Sequence, residues 1–184
     1  MRKTLDFKIY LNPDNKLREY WKVVRDTELR GYSIDEVLKS MKSRIDDAEK
    51  YIKPQINFAD LIINYFPIDT INFDNLKNND VSLGLKLKLE SSIYMDDIYA
   101  FLSENSVDMC WDYSDDLKTQ EIIIKSDLSE FNWEQLSRDF IENIEEIISQ
   151  KAIFTEGYRG FIQFIVLRIM SEKMRDKNDK RNIN

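Results

Sequence analysis

Proline fixes φ and removes a backbone donor, so the three prolines of this chain, Pro13, Pro54 and Pro67, mark where regular structure has to stop. Before the first of them, Leu5–Leu11 (LDFKIYL) alternates apolar and polar residues and then turns apolar, the pattern of a β-strand. Asn12-Pro13 ends it and opens a helix, with Asn12 suited to the N-cap and Pro13 to the first helical position. Leu17, Tyr20, Trp21 and Val24 share one face of that helix. Arg18, Lys22 and Arg25, at i, i+4 and i+7, make a basic stripe on another. Gly31 suits its C-terminus. Ser33 and Glu36 have capping-box spacing and open a second helix whose apolar positions are Ile34, Val37, Leu38, Met41 and Ile45. Pro54 predicts an end near Tyr51, and Ala59–Phe66 (ADLIINYF) then reads as a buried strand stopped by Pro67. The arrangement is α/β: two core strands with a helical, arginine-bearing flap between them.

Beyond Pro67 the texture changes. Residues 68–82 are polar and predict a surface loop and a boundary, centred on 75–80. Leu83–Leu89 reads as a one-sided strand, 93–102 as a short helix, and 107–113 with 121–125 as a strand pair. A helix is expected over 132–150 and a largely buried one from Tyr158 to about Arg175, with a disordered charged tail at 176–184. The predicted organisation is therefore 1–67 as core strands plus lid, 68–82 as loop, 83–175 as a small mixed strand and helix region, and 176–184 as tail.

Composition removes whole classes of chemistry. The chain has no histidine, which excludes serine–histidine and cysteine–histidine catalysis and histidine-bearing zinc sites. A single cysteine, Cys110, excludes an internal disulfide and cysteine-rich metal clusters, and fits a reducing cytoplasm. The four glycines, Gly31, Gly84, Gly157 and Gly160, cannot supply a Gly-x-x-x-x-Gly-Lys-Ser/Thr phosphate loop. A net charge of −7 argues against nucleic acid or anionic membrane as partner, and no apolar run is long enough for a membrane span. The charge is unevenly spread. Residues 16–53 hold ten basic and eight acidic residues, while the remainder holds 17 basic and 26 acidic. A slightly basic helical pair on an acidic body suits a small anionic ligand. The acids Asp96-Asp97, Asp108/Asp112 and Asp115-Asp116 lack the glycine and closing glutamate of a Ca²⁺ loop and read as solvated. No metal ligands are assigned.

The segment Leu5–Pro67 resembles the phosphoribulokinase/uridine kinase family of P-loop small-molecule kinases, and its phosphoribulokinase branch most. The likeness rests on W-K-x-x-R-D-x-x-x-R-G-x-S, here Trp21, Lys22, Arg25, Asp26, Arg30, Gly31 and Ser33, and on Y-I-x-P-Q-x-x-x-A-D, here Tyr51, Ile52, Pro54, Gln55, Ala59 and Asp60. About a third of the chain is covered. Gly160-Phe161-Ile162-Gln163 is similar to a segment near the family's C-terminus. Where the family often has Glu-Arg-Gly-His, this chain has Leu29-Arg30-Gly31-Tyr32.

The resemblance implies the C-terminal part of a P-loop kinase fold, and a reaction that moves the γ-phosphate of ATP to a hydroxyl of a sugar phosphate or nucleoside. It implies Lys22, Arg25 and Arg30 as phosphate-binding groups, with Arg25 and Arg30 catalytic, because permanently charged guanidinium groups suit the charge on transferring phosphoryl oxygens. ATP and Mg²⁺ are expected for the complete enzyme and neither is expected to be held by this chain alone. The phosphate loop, acceptor-site base and metal-binding acid should by resemblance precede Leu5. A truncated, solitary and inactive chain, or one partnered by an N-terminal kinase half, is the expectation. The alternative is a non-catalytic interaction module, monomeric or homo-oligomeric, derived from such a kinase. Tyr51, Pro54, Ala59 and Asp60 read as structural residues that end the lid and dock the next strand.

Overall fold

The structure, a computed structural model, describes residues 5–73, 81–148 and 152–182, the side chains of 176–182 excepted. The chain divides into two compact units, one made of 1–90 with 110–125 and the other of 91–109 with 126–184. The boundary read from the sequence at 68–82 falls inside the first unit, because the strand after it hydrogen-bonds to the strand before it. The centre of that loop, 75–80, lies outside the described residues.

The first unit is built on a mixed five-stranded sheet of order β1-β2-β3-β5-β4. Strand β1 (Ile9–Leu11) pairs parallel with β2 (Leu61–Pro67), with Ile9 opposite Leu61 and Leu11 opposite Ile63. Parallel neighbours need a crossover connection, and here the whole helical flap supplies it. The remaining strands, β3 (Leu83–Glu90), β4 (Met109–Tyr113) and β5 (Thr119–Ile124), continue the sheet, β2, β3 and β5 pairing antiparallel in sequence. Register puts Leu61, Ile63, Leu85, Leu87, Leu89, Ile122 and Ile124 on one buried face. On the other, Lys86 and Lys88 both reach Glu121. The apolar face does not end at β2. Ile9 and Leu11 continue it at the sheet's edge, yet they are 49% and 60% exposed.

In the flap, α1 (Asn15–Arg30) buries Leu17, Tyr20 and Val23, and Trp21 meets Tyr65 of β2 edge to face at 6.4 Å. Its N-cap is Asp14, whose Oδ1 accepts from the Lys16 and Leu17 amides, rather than Asn12. Asn12 instead spends its amide on the Ile63 carbonyl, prolonging the pairing with β2. Gly31 closes α1 in the left-handed conformation (φ +70°), which only glycine adopts without strain. The capping box forms as its spacing predicts: Ser33 Oγ accepts from the Glu36 amide, and Glu36 accepts from the Ser33 amide at 2.8 Å. Helix α2 (Ile34–Lys42) stops short of Tyr51 and gives way to α3 (Ile45–Asp47), a π turn (Ala48–Ile52) and a 3₁₀ turn (Lys53–Phe58) with Pro54 at its start. Asp60 then fastens the return, accepting from the Lys8 amide at 2.7 Å.

The second unit is helical, with α4 (Asp96–Glu104), α5 (Trp133–Phe140), α6 (Ile144–Ile147) and α7 (Gly157–Asn182). The single helix expected over 132–150 is broken at Ile141, which is extended (φ −119°, ψ +101°). The break has a partner: Arg168 of α7 donates Nη1 to the Phe140 carbonyl that the ended helix leaves open. Trp133, Phe161 and Phe164 form an aromatic core, with Trp133 and Phe161 ring centroids 5.1 Å apart. A Cβ on Gly160 would overlap Trp133 and the Thr155 carbonyl, so this position requires glycine. Residues 176–182 continue α7 rather than forming a disordered tail, since Lys, Arg and Asp there include nothing that stops a helix. Among the described residues, no helix is long and apolar enough to cross a membrane.

Candidate functional site

Lys22, Arg25, Asp26 and Arg30 recur at three and four residues along α1 and so stack on one face of it. The Gly31–Ser33 turn folds α2 back against that face. Between the two helices lies a cavity of about 360 Å³ lined by Lys22, Arg25, Asp26, Arg30, Tyr32, Glu36, Val37, Ser40 and Arg44. All three phosphate-binding residues read from the sequence, Lys22, Arg25 and Arg30, therefore share one cavity. The other member of the basic stripe, Arg18, lines a separate cavity of about 420 Å³ and donates to Asn15.

The centre of the basic cavity is a carboxylate. Asp26 is 4% exposed, and its Oδ1 accepts from Arg25 Nε at 2.8 Å and lies 3.3 Å from Arg30 Nη1. Both arginine side chains are about half exposed, so the acid is inside and the cations face out. The Arg25 hydrogen bond holds the Asp26 carboxyl below its usual range, burial opposes it, and the charges of Arg25, Arg30 and Lys22 reinforce the lowering. The same hydrogen bond raises the Arg25 guanidinium. Asp26 also anchors the turn through its backbone, its carbonyl accepting from the Gly31 and Tyr32 amides.

Arg25 and Arg30 can serve as phosphate ligands or as surface cations paired with a nearby acid. The geometry joins them: the ion pair with Asp26 exists, and it leaves donors on both guanidinium groups. Arg44 was missed. It follows the end of α2 (φ −106°, ψ 2°), where the helical pattern read from sequence ran on unbroken. Extending the α2 face as Val37, Ser40 and Arg44 was the signal that could have found it. Neither Lys22 nor Arg44 has an ion-pair partner among the described residues.

Four basic groups against Asp26 and Glu36 give the lining a formal excess of two positive charges. Glu36 is committed to the capping box, with the Ser33 bond lowering its carboxyl. The cavity can therefore grip a small dianion by charge-assisted hydrogen bonds. It does not offer a metal site: no group of three or more acidic or cysteine residues is placed to hold one among the described residues. Asp97, read as solvated, instead accepts from Arg168 Nη2 at 2.8 Å in the second unit.

Residues 1–72 match the family profile described as Phosphoribulokinase / Uridine kinase family. The chain is 33% identical over 107 residues to the chloroplastic phosphoribulokinase of Mesembryanthemum crystallinum, covering 58% of this chain and 26% of that protein. It is 39% identical over 75 residues to the chloroplastic phosphoribulokinase of Spinacia oleracea, covering 41% and 19% respectively. A uridine kinase of Bacillus pumilus is 36% identical over 64 residues, 34% of this chain and 30% of the relative. The matched portion thus spans about a quarter or less of the two chloroplastic proteins.

Proposed function

We propose, from the match of residues 1–72 to the phosphoribulokinase/uridine kinase family profile, that this chain is the lid-bearing portion of an ATP-dependent kinase of that family, one that phosphorylates a hydroxyl of a sugar phosphate or nucleoside. The observation that carries the reading is the convergence of Lys22, Arg25, Arg30 and Arg44 on one cavity. In phosphoryl transfer, negative charge spreads over the equatorial oxygens, and most of the protein's contribution is positioning and charge stabilisation. Arg25 and Arg30 act on the transferring phosphoryl group, while Lys22 and Arg44 hold neighbouring phosphate oxygens. Over similar lengths the phosphoribulokinase match has the higher identity, 33% over 107 residues against 28% over 102 for a uridine kinase of Chlamydia pneumoniae, which favours a sugar phosphate as acceptor.

These 184 residues contain no Gly-x-x-x-x-Gly-Lys-Ser/Thr motif, so the phosphate loop of this proposal is supplied by polypeptide outside them. The acids lining the basic cavity are both engaged, Asp26 with arginines and Glu36 with its cap, and do not fit Mg²⁺. On this reading the chain alone does not turn over ATP, and it works in a reducing compartment such as the cytoplasm.

The test is calorimetric titration of the chain with pyrophosphate, then an activity assay with ATP after adding a phosphate-loop-bearing kinase half. Arg25→Ala is expected to lower turnover of the assembled enzyme at least tenfold. Unchanged turnover removes the lid assignment. The second reading, a non-catalytic interaction module, is favoured by Leu29 and Tyr32 flanking Arg30-Gly31 in place of the acid and imidazole usual in the family. A folded chain indifferent to both pyrophosphate and the added half would establish it.

A further inference from the structure

We propose that Asp26 is a positioning residue that fixes the Arg25 and Arg30 guanidinium groups as one preorganised anion clamp. The inference rests on the phosphate-site reading above and gives that site an internal part. Both arginines converge on a single carboxylate oxygen, Oδ1, at 2.8 Å from Arg25 Nε and 3.3 Å from Arg30 Nη1. Their side chains are otherwise half exposed, and long exposed arginines sample many rotamers. Asp26 is the only residue of the pair of contacts that cannot wander, being buried and on the inner side of α1 with Leu17, Tyr20 and Val23. Its carbonyl also carries the amides of Gly31 and Tyr32, so the clamp and the turn into α2 share one anchor.

The Arg25 Nε hydrogen bond and the Arg30 Nη1 ion pair with Asp26 leave the Nη groups of Arg25, and Nη2 and Nε of Arg30, to a ligand. An ordinary helix-bracing ion pair makes the opposite prediction for an anion. If Asp26 only braced the helix, removing its negative charge would raise the local positive potential and tighten anion binding. If it positions, the loss of order outweighs the gain in charge and binding weakens.

The experiment compares the full chain with Asp26→Asn, Asp26→Glu and, as a charge control on the exposed side of α1, Glu28→Gln. Each is titrated with pyrophosphate, and the Nε–Hε signals of Arg25 and Arg30 are followed by ¹⁵N relaxation. Positioning predicts at least fivefold weaker binding and mobile Nε–Hε signals in Asp26→Asn, with Glu28→Gln unchanged within twofold. Asp26→Glu keeps the charge but moves the oxygen by one methylene, and should also weaken binding; it decides the matter if Asp26→Asn does not fold. Equal or tighter binding by the folded Asp26 variants overturns the proposal. If the unsubstituted chain does not bind pyrophosphate, the phosphate-site reading fails by itself. The relaxation data then judge the clamp: ordered Nε–Hε groups that become mobile only in the Asp26 variants uphold it, and groups mobile from the start overturn it.

Discussion

Two arginine–aspartate arrangements, one in each unit, are built in opposite senses. In the sheet-bearing unit the acid is inside, and Asp26 holds two arginines that face outward. In the helical unit the cation is inside: Arg168 is 5% exposed, donates to the Phe140 carbonyl and to Asp97, and lies 5.6 Å from the Tyr94 ring centroid. Arg168 gives Nη1 and Nη2 to the protein, fastening α4, the end of α5 and α7. Arg25 and Arg30 keep most of theirs for something else. The same residue types thus make a structural tie, or leave donors exposed for the proposed anion, according to which partner is buried.

That contrast can be broken most directly at Arg168. Arg168→Ala should cost about 3–5 kcal/mol, because it strands a carbonyl and an acid that relied on a buried cation. Urea denaturation measures it, and a loss under 1 kcal/mol would mean that the buried cation ties nothing. Arg25→Ala and Arg44→Ala should do the reverse. Each should weaken pyrophosphate binding five- to tenfold, about 1–1.4 kcal/mol, and leave the urea midpoint nearly unchanged, since both residues are exposed. A large stability loss for Arg25→Ala would erase the distinction between the two regions. Ser33→Ala, which removes the N-cap of α2 behind the basic cavity, should cost about 1 kcal/mol in the same denaturation series.

The smallest expected effect is in pH. Asp26 has a lowered carboxyl pKa, so its contribution is fully present above the ordinary carboxylate value, about 3.9, and is lost as pH falls through the lower folded value. Sulfate, which remains a dianion throughout, should bind equally from pH 5 to pH 8 and weaken only below about pH 4. A loss centred near neutrality would assign the control to another group.

Much of the flap was legible because its signals are local. Gly31 and the Ser33–Glu36 box each act within a turn of themselves, and the structure keeps both, whereas the cap read at Asn12-Pro13 moves to Asp14 and α2 ends at Lys42, well before Pro54. The matching of Lys22, Arg25 and Arg30 to one cavity follows from helical spacing alone. What was misread depends on distant partners. The break at Ile141 answers to Arg168, 27 positions on, and Asp97 is ion-paired to that same arginine, 71 residues away. Arg44 was hidden because the helix read through it stops two residues earlier. Asp26 was visible as part of a motif, but its burial, which decides its chemistry, appears only when α2 folds back.

Among the described residues β1 has no strand on its outer side, and this has a kinetic consequence. Asn12 donates to Ile63 and Lys8 accepts from Leu61, so the even-numbered backbone groups face β2 and those of Ile9 and Leu11 face the open side of the sheet. Deuterium should therefore enter this strand in alternation, fast at Ile9 and Leu11 and slow at Tyr10. A polypeptide strand laid along that side would slow the two fast amides and leave Tyr10 nearly as it was, so three adjacent amides suffice to report whether the sheet has been extended.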